Sequence, residues 1–368
     1  MHSPMEIDAN LPIEQTSPQV AGEKAEEQSP TGTPRRGARE LLQDLAILCF
    51  LAAPLALLAL LAGASYNGIK AHYDAQRFPQ EGRSVDIGGY RLNINCRGRG
   101  SPTVILEAGL GVPAISWRGT QSEISKFTRV CSYDRAGYDW SDAGPMPRTT
   151  ARTAKELHTL LLNAGEKPPF VLVGHSFGAN NVRVYNGAYP GEVAGMVLAD
   201  SANEDMKSPE GFQGLIDNEL RQRQTERKWA GLLYWTGISR LADTQIDDHA
   251  RPYDRREWAY FLIQPKVIAA AASEMENLEE SKAELRVAGG LGEKPLIVLI
   301  ARQSLLDMPL PAPDAAALNQ LWVENEKLLA RLSARGKWVM VENSNHMMPF
   351  DRPDAIVAAV REVYSEVR

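Results

Sequence analysis

Five residues, Gly174-His175-Ser176-Phe177-Gly178, follow directly on the apolar run Phe170-Val171-Leu172-Val173. A serine displayed in a very tight turn between a strand and a helix needs glycine two places before it and two places after, because a Cβ at either place would collide. Gly174 and Gly178 stand there. Beyond them Val182, Tyr185 and Tyr189 share one helical face and Pro190 stops the period, so strand, turn and helix arrive in the required order. The chemistry this pattern predicts is nucleophilic attack by the Ser176 hydroxyl. His175 reads as a packing or hydrogen-bonding residue rather than a base, since adjacent side chains on a strand point to opposite faces.

A serine at its ordinary pKa does not attack an ester, so a general base must come from elsewhere in the chain. The sequence offers six histidines. His2 lies in a polar tail, His72 follows an apolar run, His158 lies in the helical stretch Thr149 to Ala164, and His249 lies in a charged segment. His346 differs: it follows the strand-like Lys337-Trp338-Val339-Met340-Val341 and the turn-forming Glu342-Asn343-Ser344-Asn345, and it precedes a last amphipathic helix. A histidine in a loop just past a late strand is placed to meet the serine.

The elements that would position these groups are legible along the chain. Ser84-Val85-Asp86-Ile87-Gly88-Gly89-Tyr90 predicts a hairpin turning at Gly88-Gly89. Strands and helices then alternate, which predicts a mostly parallel sheet covered on both faces. Leu157, Leu160, Leu161 and Ala164 form one helical stripe ending at Gly165. Leu318, Leu321, Trp322, Asn325, Leu328, Leu329 and Leu332 form another ending near Gly336, and Ile356, Val360 and Val363 form a third after Pro353. No internal repeat, metal-ligand spacing or phosphate-cradling loop is present, so no cofactor and no metal is expected.

From about Ser84 to the C-terminus the chain resembles the α/β-hydrolase superfamily. Val104-Ile105-Leu106-Glu107-Ala108-Gly109-Leu110-Gly111, Tyr133-Asp134-Arg135-Ala136-Gly137-Tyr138 and Gly174 to Gly178 fall in the order that family uses, with chain order nucleophile, acid, histidine. The resemblance implies an α/β-hydrolase fold: a mostly parallel eight-stranded sheet, helices on both faces and a helical lid insert. It also implies an oxyanion hole made by the backbone N–H groups of Leu110 and Phe177. The usual His-Gly of that loop reads Ala108-Gly109 here, a change that backbone donors tolerate.

For the acid, the family most often uses a position after the seventh strand, here Pro295-Leu296-Ile297-Val298-Leu299-Ile300-Ala301. Gln303 or Ser304 fills that place and Asp307 comes late. Some branches use an aspartate ending the sixth strand, and Gly195-Met196-Val197-Leu198-Ala199-Asp200 puts one at the carboxyl edge of the sheet, where open α/β sheets bind ligands. Asp200 is therefore preferred, with Asp307 the alternative and Asp205 a third. Asp200 as a simple helix N-cap is the competing structural reading.

Residues 1–44 are rich in Pro, Glu, Ser, Thr and Gln with few large apolar groups, and are expected to be disordered. Leu45 to Ala64 carries no charge over about twenty residues, the length a bilayer core requires, so 45–66 is expected to span a membrane, with 67–83 a linker. A long preceding tail disfavours a cleaved signal peptide, and Pro54 is tolerable in a membrane helix. Arg35, Arg36 and Arg39 precede the span against Lys70 and Arg77 after it, which predicts a cytoplasmic N-terminus and an extracytoplasmic catalytic domain. Cys49 falls in the span. If the family's sheet order holds, the strands carrying Cys96 and Cys131 are neighbours, and an oxidising compartment would allow a disulfide between them; two buried thiols is the other reading.

The hydrolase core is expected over 84–202 and 294–368. Between them, 203–293 loses its strand signals and carries Trp229, Tyr234, Trp235, Trp258, Tyr260 and Phe261 where this fold usually grows a lid. Those aromatics line an acyl pocket or, for most of them, form the lid's own core. A formal net charge of -6 without a basic stripe in this part argues against a nucleic-acid partner. The expected function is that of a serine hydrolase cleaving a carboxylic ester of a small molecule or lipid. Acyl transfer to another acceptor, or an inactive membrane-tethered scaffold, are the alternatives. Epoxide and haloalkane hydrolysis on this fold need an aspartate nucleophile, which Ser176 is not.

Overall fold

The computed structural model describes residues 37–201, 203–206, 210–240 and 255–368. Two compact units divide the chain, Met1–Ala56 and Leu57–Arg368. In chain order the elements are α1 (Ala38–Arg77), β1 (Arg83–Asp86), β2 (Arg91–Arg97), β3 (Thr103–Glu107), α2 (Arg118–Ile124), β4 (Val130–Tyr133), α3 (Thr150–Ala164), β5 (Phe170–His175), α4 (Phe177–Ala188) and β6 (Val193–Ala199). Four helices follow, α5 (Glu210–Trp235), α6 (Arg255–Leu262), α7 (Pro265–Glu276) and α8 (Leu278–Ala288). The chain then completes the sheet with β7 (Leu296–Ala301), α9 (Ala312–Leu329), β8 (Gly336–Val341), α10 (Met348–Asp351) and α11 (Pro353–Val367).

The sheet has eight strands in the order β1-β2-β4-β3-β5-β6-β7-β8. β1 and β2 form the antiparallel hairpin expected at Gly88-Gly89, and β2 pairs antiparallel with β4; the other pairs are parallel. Every residue of β3, β4, β5 and β7 is buried, as a parallel sheet covered on both faces demands. Alternation along the strands divides the core in two. Val171 and Val173 pack with Ile124, Ile356, Val360 and Val363 on the α2 and α11 side, while Phe170 and Leu172 pack with Leu157, Leu160, Val182 and Tyr185 on the other. Each wholly buried aliphatic side chain contributes about 2 kcal/mol.

Among the described residues of 203–293 the regular elements between β6 and β7 are helices, α5 to α8. Trp258 and Phe261 are buried in a cluster with Ile115, against which Trp140, Met347 and Phe350 pack. Trp229 and Trp235 are exposed, so these two of the six aromatics take no part in a core. Tyr260, also on α6, packs against this cluster and meets Phe78 with ring centroids 5.9 Å apart.

Three further expectations need correction. The stretch 67–83 is helical through Arg77, and helix also replaces disorder over 38–44. The apolar run alone did not reveal this, because Asn67 and Asp74 extend the helix by receiving Arg240, at 2.7 Å and 2.6 Å. In α9 the buried face is Ala315, Leu318, Asn319, Trp322, Val323, Glu326 and Leu329, whereas Leu328 is exposed. Asn319 turns inward because it closes the loop after β7, accepting from the Leu305 N–H at 2.9 Å and donating to the Arg302 carbonyl at 3.0 Å. The tail 1–36, with His2, Arg35 and Arg36, and His249 lie outside the described residues.

Candidate active site

Ser176 sits at the junction of β5 and α4 with φ 52° and ψ -124°, a backbone conformation an L-residue avoids unless the surroundings impose it. Its N–H donates to the Ala199 carbonyl at 3.0 Å, and its own carbonyl accepts from Ala179 at 3.0 Å. The glycine requirement read from sequence has a steric cause here. A Cβ on Gly174 would stand 2.5 Å from Ala179 Cα, and one on Gly178 would stand 2.5 Å from the carbonyl oxygens of Glu107 and Ala108.

The loop after β8 brings His346 to this serine. Asn345 Oδ1 accepts from the Met347 N–H at 2.8 Å, and Asp351 Oδ2 accepts from the Asn345 N–H at 3.0 Å, which fixes the loop against α10. His346 Nδ1 donates to Asp200 Oδ2 at 2.6 Å, leaving Nε2 to accept the Ser176 hydroxyl at 2.9 Å. Trp322 meets the His346 ring edge-on at 5.9 Å. The three groups named from sequence, Ser176, His346 and Asp200, therefore form one hydrogen-bonded chain.

Asp200 is wholly buried and follows β6 with φ 49°. Its Oδ1 accepts from the Ala301 N–H at 3.0 Å, and the Ser304 hydroxyl donates to its Oδ2. Ser304, which fills the place after β7, also lies 3.5 Å from His346 Nδ1. Asp307 is exposed and makes no hydrogen bond to His346, and Asp205 is exposed in a pair with Arg286. The geometry of Asp200 is that of an acceptor for an imidazole, not of a helix cap: its two oxygens are taken by the Ala301 N–H, the Ser304 hydroxyl and His346 Nδ1.

His175 reaches the same loop from the serine's other side. Its ring is buried, and burial pushes its pKa down to about 4, so it is neutral and donates from Nε2 to the His346 carbonyl at 2.7 Å. Position 109 packs against it. A Cβ there would lie 3.1 Å from His175 Nδ1 and 3.3 Å from Ser176 Cβ, which puts the loop after β3 beside the serine. The N–H groups of Leu110, next in that loop, and of Phe177, first in α4, make no hydrogen bond among the described residues.

Beneath that loop lies a polar network the sequence did not disclose. Arg135 is buried and uses its whole guanidinium: Nη1 donates to the Ala108 carbonyl at 2.6 Å and Glu107 Oε1 at 2.9 Å, Nη2 to the Gly109 carbonyl at 2.8 Å, and Nε to Glu274 Oε1 at 2.8 Å. Tyr138 donates to Glu274 Oε2 at 2.6 Å and accepts from the Gly111 N–H at 3.1 Å. Burial pushes the Glu107 carboxyl up while the Arg135 guanidinium pulls it down, and Glu107 also accepts from Asn181 Nδ2 at 2.9 Å and from the Tyr133 hydroxyl. Glu326, wholly buried on α9, is the second residue the sequence reading passed over; its signal was a carboxylate one turn after Trp322 on the buried face.

Cys96 and Cys131 stand opposite each other on β2 and β4 and are joined by a disulfide. Among the described residues one group has metal-ligand spacing, Cys96, Cys131 and Glu166, and the disulfide consumes both of its sulfurs. A surface groove of about 880 Å³ between α2 and α11, lined by Gly119, Val357, Ala358 and Arg361 among others, shares no residue with the surroundings of Ser176.

An eight-stranded, mostly parallel sheet with a strained serine between strand and helix defines the class to which comparison then assigns the chain. Residues 104–359 match the Alpha/beta hydrolase family, and the chain belongs to it. An uncharacterized protein of Bacillus subtilis (strain 168), YqjL, is 24% identical over 268 residues, covering 73% of this chain and 85% of that one. A thermophilic esterase from Thermogutta terrifontis is 20% identical with a TM-score of 0.57, covering 78% of this chain and 99% of that one. An epoxide hydrolase from Vigna radiata is 16% identical with a TM-score of 0.60, covering 78% and 98%. At these identities the structural likenesses speak for the fold.

Proposed function

We propose that this hydrolase cleaves a carboxylic ester through an acyl-enzyme, with Ser176 as nucleophile, His346 as general base and then acid, and Asp200 orienting the imidazole. The single observation that carries the reading is the bond chain from Ser176 Oγ to His346 Nε2 at 2.9 Å and from His346 Nδ1 to Asp200 Oδ2 at 2.6 Å. In the first step Ser176 Oγ attacks the carbonyl carbon while its proton passes to His346 Nε2. The free N–H groups of Leu110 and Phe177 receive the oxyanion. Collapse of the tetrahedral species expels the alcohol, which takes the proton from His346. Water, deprotonated by the same nitrogen, then attacks the acyl-enzyme and releases the acid.

A nucleophilic serine favours this over epoxide opening. Acyl transfer shares the first half-reaction and differs only in the acceptor. We also propose that α1 tethers the enzyme to a membrane, since it is long and apolar enough to cross one. The disulfide on β2 and β4 supports placing the hydrolase unit in an oxidising compartment outside the cytoplasm. A fluorophosphonate probe and a panel of p-nitrophenyl esters of rising acyl length test the chemistry. Wild type should be labelled and turn over esters, and Ser176→Ala should do neither; absence of labelling in wild type at every pH would mark an inactive scaffold.

A further inference from the structure

Two carboxyl groups, not one, occupy the pocket behind His346. Glu326 on α9 is wholly buried, and its side chain meets that of Asp200. Its Oε1 accepts from the Ser201 N–H at 2.5 Å, while Oε2 makes no hydrogen bond to a donor among the described residues. Two carboxylates in contact cannot both ionise in a site without water. Asp200 collects three donors, from Ala301, Ser304 and His346. Among the described residues Glu326 has the Ser201 N–H at 2.5 Å and the Trp322 indole N–H beside it, and no charged donor. Among the described residues no lysine or arginine pairs with it.

We propose that Glu326 is a positioning residue that works as a neutral carboxylic acid: its hydroxyl donates to Asp200, and its other oxygen holds the Ser201 N–H. This rests on the hydrolytic reading above and adds a member to that site. The arrangement explains two otherwise separate facts. Oε2 is without a donor because it is itself the donor, to an acceptor. Asp200 holds a left-handed φ of 49° because the next peptide is pinned by Glu326 while its own N–H is pinned to the Leu299 carbonyl at 2.9 Å. Burial and the Asp200 charge both push the Glu326 carboxyl well above the ordinary carboxylate range, in agreement with that protonation state. Ionisation of Glu326 would set a second anion against Asp200 and break the bond between them, loosening the support that orients His346.

The test uses the full chain and the variants Glu326→Gln, which stays neutral and can still donate and accept, and Glu326→Leu, which can do neither. Fluorophosphonate labelling and ester turnover are measured from about pH 6 to about pH 10, with thermal unfolding over the same range. Glu326→Gln should keep at pH 7 most of the rate that Glu326→Leu loses, and its rate relative to wild type should rise by about threefold or more toward the alkaline end. Glu326→Leu should lose about tenfold or more in kcat with KM little changed. In unfolding, a carboxyl raised in the native state makes that state bind the extra proton. Wild type should therefore lose stability relative to Glu326→Gln as pH climbs above the ordinary carboxylate range. A Gln variant whose rate and stability follow wild type at every pH, or a Leu variant with the wild-type kcat, overturns the proposal. If wild type is not labelled at all, the hydrolytic reading fails, and the unfolding comparison alone decides whether Glu326 is the neutral partner of Asp200.

Discussion

His175 Nε2 donates to the backbone carbonyl of His346 at 2.7 Å, so the residue beside the serine holds the loop that carries His346. The donor is a neutral imidazole whose pKa burial lowers to about 4 from an ordinary 6.5. Protonation is thus favoured in the unfolded chain and resisted in the native one. Stability should fall as pH drops from 6.5 toward 4, by about 3 kcal/mol when complete. His175→Gln keeps a donor that does not titrate, and chemical denaturation at several pH values should show that share of the acid loss removed. His175→Ala, which frees the His346 carbonyl, should lower kcat by about tenfold at pH 7 with little change in KM. An unchanged kcat would separate His175 from the orientation of His346.

The network under the serine makes a second prediction. Arg135 joins the carbonyls of Ala108 and Gly109 to Glu274 on α7, so the loop carrying the Leu110 N–H is fastened to an insert helix through one buried guanidinium. Glu274→Ala strands a buried cation and the Tyr138 hydroxyl, and should cost about 3–5 kcal/mol in urea unfolding. Ser176 labelling should slow in the same variant at temperatures where it remains folded. Glu276→Gln, two residues along the helix and in a more exposed pair with Arg227, should change stability by no more than about 0.5 kcal/mol. Equal effects from the two substitutions would remove the special place of Glu274.

What could be read from the sequence and what could not divide along a physical line. Features carried by short-range pattern were legible. The flanking glycines of Ser176, the alternation of strands, the α3 stripe ending at Gly165 with φ 76° and the loop position of His346 each depend on neighbours within a few residues. Asp200 was preferred over Asp307 on its place after a strand, and it is Asp200 that reaches His346. Features fixed by distant partners were not legible. Glu326 reads as one more surface acid on α9 until Ser201, 125 residues earlier, is seen to donate to it. Glu274 lies 139 residues from Arg135, and Arg240 stabilises the extension of α1 from 166 residues away through Asp74. A buried polar side chain on an amphipathic helix breaks the apolar period without announcing its partner, which is why the α9 stripe was rotated in the sequence reading.

The disulfide gives a third prediction. Cys96 and Cys131 close a loop of 35 residues between two strands of the sheet, so removing the bond should cost about 2–4 kcal/mol, chiefly by freeing the unfolded chain. Comparing Cys96→Ala/Cys131→Ala with wild type by urea unfolding measures this. Of the three cysteines only Cys49 is free, so protein denatured without reductant should titrate as one thiol and as three after reduction. Two additional thiols before reduction would mean that the bond does not form in the folded protein.

The last prediction concerns the place of the acid. Ser304 stands after β7, its hydroxyl bound to Asp200 Oδ2 and 3.5 Å from His346 Nδ1, so the imidazole is within reach of two strand ends at once. Asp200 uses one of them. Replacing it with Asn leaves the shape but removes the anion that stabilises the imidazolium, and should lower turnover by about 10³–10⁴-fold. An aspartate at 304 is one atom longer than the serine and directed toward the same nitrogen. In Asp200→Asn/Ser304→Asp it should supply the missing charge and restore at least about tenfold of the loss. In Ser304→Asp alone, two carboxylates would crowd one imidazole, beside Glu326, and the variant should be less stable than wild type as pH rises. Recovery in the double variant without recovery in Asp200→Asn would show that the charge near Nδ1, rather than its strand of origin, is what the base requires. Failure to recover would show that the backbone held at Asp200, with its left-handed φ and its Glu326 support, matters as much as the charge.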